Sequence, residues 1–200
     1  MVTREAALDS AQRQLNHDPF KSMAELAEGM GIARATLHRH FETRDQLFRE
    51  LVERAVLRWR KCLDDVDAQS ATESDDPDLV AKCIRRLFQG YMAQPEDFGL
   101  TIFHHVLDRD PKLRRLEREI ARREEVLLRN AQRLDLLRSE LPALWLSSTL
   151  WGLGIGARYA LSAGDAAPNI LPALVWTTFL DGAGSSTHAH VWHAQRPLRY

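Results

Sequence analysis

Between Arg34 and Arg44 the chain gathers Arg34, Thr36, His38, Arg39, His40 and Arg44 around two apolar residues, Leu37 and Phe41. Cationic and hydroxyl side chains so close together suit a polyanion that also carries hydrogen-bonding edges. An arginine fork can donate twice to one guanine, a threonine can meet a base or its methyl group, and other cations take phosphate oxygens. The 200 residues carry 27 Lys plus Arg against 28 Asp plus Glu, a net charge of −1. Overall charge therefore announces no nucleic-acid partner, and any basicity that recognises one must be local.

Those side chains need two short helices to position them. Ser22 and Glu25 have capping-box spacing and open a helix, along which Met23, Leu26, Ala27 and Met30 recur on one apolar face. Gly31 supplies the left-handed residue of a tight turn, and Ile32 plugs it. A second helix then turns Leu37 and Phe41 inward and leaves Arg34, Thr36, His38, Arg39 and His40 facing out. Thr43 and Gln46 repeat the capping spacing and open a third helix. Two short helices joined by a glycine turn make a helix-turn-helix, whose second helix reaches base edges through its first residues. Ahead of them, Ala7, Leu8, Ala11 and Leu15 form the apolar stripe of a helix over Thr3–His17. Asp18-Pro19 ends it, and Phe20 is expected to pack on the helices that follow.

The stretch SMAELAEGMGIARATLHRHFETRDQLF resembles the DNA-binding segment of TetR/AcrR-type transcriptional regulators. That resemblance implies an all-helical homodimer that represses transcription until a small molecule binds its C-terminal domain. Matched position by position, it implies that Arg34, Ala35 and Thr36 read bases. It implies that His38, Arg39, His40 and Arg44 contact phosphates or nearby bases. Ala33, His38 and Glu42 stand where the family usually has a Ser or Thr cap, a tyrosine and a proline. Losing the cap costs about 1 kcal/mol of local helix stability.

The rest of the chain reads as helix after helix. A long one runs from about Asp45 to Asp65, and the polar stretch 67–78 reads as a loop. Pro77, capped by Asp76, opens a helix with the apolar face Leu79, Val80, Cys83, Ile84, Leu87, Phe88 and Tyr91. Pro95 separates it from a short helix carrying Phe98 to Leu107. Asp110-Pro111 opens a charged helix to about Ser139, with Glu119–Arg123 and Glu125–Arg129 at pairing distance along it. Pro142 begins an apolar helix in which Ser148, Gly152 and Gly156 recur every fourth residue. Another runs from Ile170 to about Ala183. These last two helices carry more apolar surface than one subunit need cover, which fits a four-helix interface with a second copy. The expected architecture is all-α with about nine helices. It divides into a three-helix head over 1–46, a helical ligand-binding and dimerisation domain over 47–184, and a tail over 185–200.

Aromatic and polar side chains between the charged helix and the apolar ones suggest a small-molecule pocket: Phe88, Tyr91, Met92, Phe98, Phe103, His104, Trp145 and Trp151. Each taken alone also fits plain core. Arg158 could meet a ligand carboxylate, or pair with an acid, or reach the surface. The histidines His188, His190 and His193 lack the cysteine or carboxylate that would accompany a metal site, so no metal or cofactor is expected. Cys62 and Cys83 lie on apolar faces and read as inert thiols. No phosphate loop, paired metal motif or nucleophile elbow argues for an enzyme. The N-terminus has no apolar signal core, and Arg158 interrupts the most apolar stretch, so a soluble cytoplasmic protein is expected. The partners are then double-stranded DNA, a small and largely apolar effector, and a second copy of the chain. The alternative is a helical dimer with a vestigial DNA head that serves as a protein-interaction module.

Overall fold

Short polar side chains write the beginning of most helices. Thr3, Ser22, Thr43, Asp67, Asp76 and Asp110 each accept a hydrogen bond from an otherwise orphaned amide of the first turn. The computed structural model describes residues 2–103, 108–187 and 190–192, with 100–103 described by backbone only. In chain order the helices are α1 (Arg4–His17), α2 (Met23–Gly29), α3 (Arg34–His40), α4 (Arg44–Asp65), α5 (Ala68–Glu73) and α6 (Pro77–Met92). A 3₁₀ stretch over Pro95–Phe103 follows, then α7 (Pro111–Arg133), α8 (Ala143–Ala163) and α9 (Leu171–Ala183). The fold is all-α, and extended pairing among the described residues is limited to an isolated bridge between Leu137 and Gly184.

The head closes over Leu15, Leu26, Leu37, Phe41, Leu47 and Phe48, all withdrawn from water. Full burial of such a side chain contributes about 1.5–3 kcal/mol. Helix α4 leaves this core and enters the next, where Leu63, Ile84, Phe98, Leu127 and Phe179 are buried. One continuous apolar core therefore runs from head to body. Polar contacts surround it at the seam. Asp97 is 1% exposed, and its carboxylate accepts from Gln12 of α1 at 2.8 Å and from Arg58 of α4 at 3.1 Å. Asn16 of α1 donates to the Glu96 carbonyl at 2.9 Å and also to the Glu96 carboxylate. Arg158 of α8 donates to the Asn16 carbonyl at 3.0 Å.

Four local expectations differ from what forms. The stretch 67–78 is not all loop, because Ala68 and Ala71 are small enough to bury against α7, where Asn130 donates to the carbonyls of Ala71 and Ser74. Helix α7 stops at Arg133 rather than near Ser139, since Asp135 takes a left-handed φ of 55° and drops Leu136 and Leu137 into the core. Arg123 reaches across to Asp64 at 2.8 Å instead of pairing with Glu119, whereas Glu125–Arg129 forms at 2.7 Å. Phe20 is 89% exposed, held out by the turn in which its amide donates to Asp18.

Gly154 of α8 is the place where a missing side chain matters most. A Cβ there would stand 2.4 Å from Cε1 of Phe98, whose ring is fully buried. Gly154→Ala should therefore destabilise the fold by about 1–3 kcal/mol through overpacking. A lowered denaturant midpoint with unchanged slope is the expected result; an unchanged midpoint would mean that Phe98 has room to move.

Candidate nucleic-acid interface and internal cavity

Helix α2 begins with the full reciprocal capping box of Ser22 and Glu25. The turn after it uses Gly31 at φ 66°, and the Ile32 amide closes back on Ala27 at 3.0 Å. Helix α3 then starts at Ala33 without a side-chain cap. With Leu37 and Phe41 buried as anchors, Arg34, Ala35 and Arg39 are exposed, and Thr36, His38 and His40 are half-buried. The outward groups are not independent. Arg34 Nε donates to His38 Nε2 at 3.2 Å, while His38 Nδ1 lies 3.1 Å from the Glu42 carbonyl. This chain orients Arg34 along the helix. His40 faces the chain start, with Nε2 3.2 Å from the Val2 carbonyl.

Arg44, which the motif places near phosphate, makes several contacts within the head. Its guanidinium donates to the carbonyls of Lys21 at 3.0 Å and Pro19 at 2.6 Å, and it lies 4.3 Å over the Phe48 ring. It ties the loop between α1 and α2 to the start of α4. A phosphate would have to compete with two charge-assisted hydrogen bonds.

The second site lies inside the body. Ile84, Leu87, Phe88, Tyr91, Phe98, Leu127, Leu128, Leu150 and Trp151 surround a narrow apolar cavity with one ionisable acid in its wall, Glu124. About 20 Å³ is open to the centre of a water molecule, room for roughly one water. Trp151 organises the wall: its ring centre is 4.5 Å from that of Trp59, 5.3 Å from Phe98 and 5.4 Å from Tyr91. Glu124 is buried and accepts three hydrogen bonds. Tyr91 Oη donates to its Oε1 at 2.5 Å, and Ser147 Oγ and Trp151 Nε1 donate to its Oε2 at 2.8 and 3.1 Å. Burial raises the Glu124 carboxyl above its usual range, and the three donors only partly oppose this. Burial, then the neighbouring Glu124, push the Tyr91 hydroxyl well up, so Tyr91 is a donor at neutral pH.

Phe88, Tyr91 and Trp151 thus come together as the aromatic spacing suggested, joined by Phe98. Met92 is buried beside them without lining the cavity. Trp145 is 62% exposed on the outer side of α8. Arg158 is buried at the seam and serves Asn16, not the cavity. The Phe103 side chain and His104 lie outside the described residues, as do His188 and His193. Sequence reasoning missed Glu124 because it sits in a run of charges. The signal was its register: Ile120, Glu124 and Leu127 follow the apolar stripe of α7. Cys62 and Cys83 are free thiols, and burial raises both, Cys83 to about 11. Among the described residues no cluster of metal ligands forms, and no helix is long and apolar enough to cross a membrane.

Residues 7–51 match the family described as "Bacterial regulatory proteins, tetR family". No match is found among curated protein sequences. The fold is shared with solved regulators at low identity. The TetR-like regulator LfrR of Mycobacterium smegmatis, in complex with proflavine, is 20% identical with a TM-score of 0.64, over 90% of this chain and 94% of that one. A ketosteroid transcriptional regulator of Mycobacterium tuberculosis is 13% identical with a TM-score of 0.65, over 92% and 95%. SmeT, the repressor of the Stenotrophomonas maltophilia multidrug efflux pump SmeDEF, is 19% identical with a TM-score of 0.52, over 92% and 91%.

Two substitutions test these assignments. Arg44→Ala should lower the stability of the DNA-free protein by about 1–3 kcal/mol, the usual cost of breaking hydrogen bonds to a charged group. Unaltered denaturant unfolding would return Arg44 to the surface. For Glu124, the folded protein holds the proton to higher pH than the unfolded chain does. That contribution to stability is fully present below the ordinary carboxyl range and is lost as pH rises through the raised value. The stability of Glu124→Gln relative to wild type should therefore climb from mildly acidic pH to neutrality. A flat difference across that window would contradict the burial of an unpaired carboxyl.

Proposed function

We propose that this member of the TetR family of regulators is a homodimeric repressor of a palindromic operator. A small, largely apolar molecule entering the cavity beside Glu124 releases it from DNA. The observation that carries this reading is α3 itself, a family-matched recognition helix with Arg34, Ala35 and Arg39 exposed on it. Arg34 and Thr36 discriminate bases, Ala35 lets the backbone approach, and Arg39 meets phosphate. His38 steadies Arg34, and His40 anchors the helix to the chain start. The head over 1–46 reads DNA, and the body over 47–184 dimerises and binds the effector.

Exposed apolar side chains on the last helices support the dimer. Leu144, Trp145 and Tyr159 of α8 and Leu174 of α9 are large and solvent-facing, and nothing lies within 4 Å of a Cβ built on Gly152 or Gly156. A second copy covering this surface would add a second α3, and the pair would read a palindrome when about 34 Å apart, one turn of DNA. LfrR, which shares the fold, is bound to proflavine, and this supports an aromatic effector here.

The route from cavity to DNA is short. Phe98 lines the cavity, and its neighbour Asp97 holds α1 and α4. An effector large enough to displace Phe98 shifts the same backbone that carries Asp97 and Glu96. The ligand then favours a conformer in which the heads are turned, and its differential affinity sets the extent of release.

Selection from a random duplex library at two salt concentrations tests the reading. A palindrome with half-sites about one helical turn apart should be enriched, and its affinity should fall with salt. Arg34→Ala should cost about 1–3 kcal/mol on that duplex and relax the base preference at one position per half-site. Enrichment of nothing at either salt would sink the repressor reading; an equal loss on all duplexes would remove Arg34 from base recognition.

A further inference from the structure

We infer that the internal cavity takes an organic cation, a quaternary or protonated amine joined to an aromatic or branched apolar body, with Glu124 as its counter-charge. This rests on the cavity being a ligand site and names the chemistry of what fills it.

The argument begins with what Glu124 lacks. All three of its hydrogen-bond donors, Tyr91, Ser147 and Trp151, are neutral. Neutral donors orient a carboxylate and lower the cost of burying it, but they leave its charge in place. Nearby cations on the same helix turn elsewhere: Arg123 goes to Asp64 and Arg129 to Glu125. Among the described residues Glu124 forms no ion pair. The contrast with Asp97 is direct, because that equally buried carboxylate has the Arg58 guanidinium at 3.1 Å. A buried carboxylate without a cation is destabilising.

The walls add a second, independent preference. Tyr91, Phe98 and Trp151 line the same space as the acid, with Trp151 at ring-centre distances of 5.4 and 5.3 Å from the other two. An aromatic ring that turns its face to a desolvated cation attracts it through its quadrupole. A neutral apolar ligand would gain the walls and leave Glu124 unsatisfied in charge. An anion would meet a buried carboxyl and the negative ring faces together. Cation, neutral and anion are thus ranked in that order.

Access requires opening, because the space now holds about one water molecule. Phe98 is the ring to move; it packs against α8 at Gly154 and against Trp59 and Trp151. A ligand that gains both ring faces and the charge of Glu124 has the means to displace it.

The test compares two isosteres on the full-length protein: benzyltrimethylammonium, permanently charged, and neopentylbenzene, its neutral carbon analogue. Calorimetry and tryptophan fluorescence read the affinity. Wild type should bind the cation at least about tenfold tighter than the hydrocarbon, a difference of about 1.4 kcal/mol. Glu124→Gln should lose about tenfold for the cation while holding the hydrocarbon nearly unchanged. Equal affinity for the two probes, binding of neither, or full cation binding by a folded Glu124→Gln would each overturn the inference. Should Glu124→Gln fail to fold, the wild-type ratio decides alone. Adding the probes to the protein on its enriched duplex separates the two claims. Charge-selective binding without release would keep the ligand class and remove its effector role, whereas release by neopentylbenzene alone would do the reverse.

Discussion

The Asp97 carboxylate stays away from water only because Gln12 and Arg58 reach it from two different helices. Several polar contacts that link head to body gather near this point. Gln12 belongs to α1, Arg58 to α4, and the backbone on either side of Asp97 bears Glu96, which holds Asn16, and Phe98, which lines the cavity. Removing any one partner would leave a buried charge or amide without its bond, a cost of about 1–3 kcal/mol or more. The seam is therefore specific in geometry.

Two buried carboxylates thus divide the work of the body. Asp97 is compensated and holds the head; Glu124 is hydrogen-bonded but has no counter-charge among the described residues. One residue, Phe98, separates their surroundings. Phe98 lines the cavity beside the first acid and adjoins the second along the chain.

Much of this was legible in the sequence, and for physical reasons. Capping boxes, glycine turns and helical apolar stripes are local, so the head, its anchors Leu37 and Phe41, and the outward set around Arg34 follow from spacing. Three of the four aromatics of the cavity wall could be found because they recur on the inner faces of α6 and α8. What escaped depended on contacts distant in sequence. Arg44 looks free until the carbonyls of Pro19 and Lys21 are seen curling under it. Helix α5 escaped because its stabilisation comes from Asn130, far along the chain. Trp145 has the composition of a pocket residue and the position of a surface one, a distinction set by helix rotation. Glu124 hid among neighbouring charges, although its place in the α7 stripe set it apart.

The winding of Pro95–Phe103 has a mechanical consequence. A 3₁₀ helix rises about 2.0 Å per residue and an α-helix about 1.5 Å. Rewinding this stretch into α form would draw its ends together by about 4–5 Å and rotate successive side chains by about 20° each. The less favourable winding is found where Asp97 grips the head and Phe98 closes the cavity. A modest change in pitch there would move the backbone of Glu96 and Asp97, and with it the hydrogen bonds they make to α1.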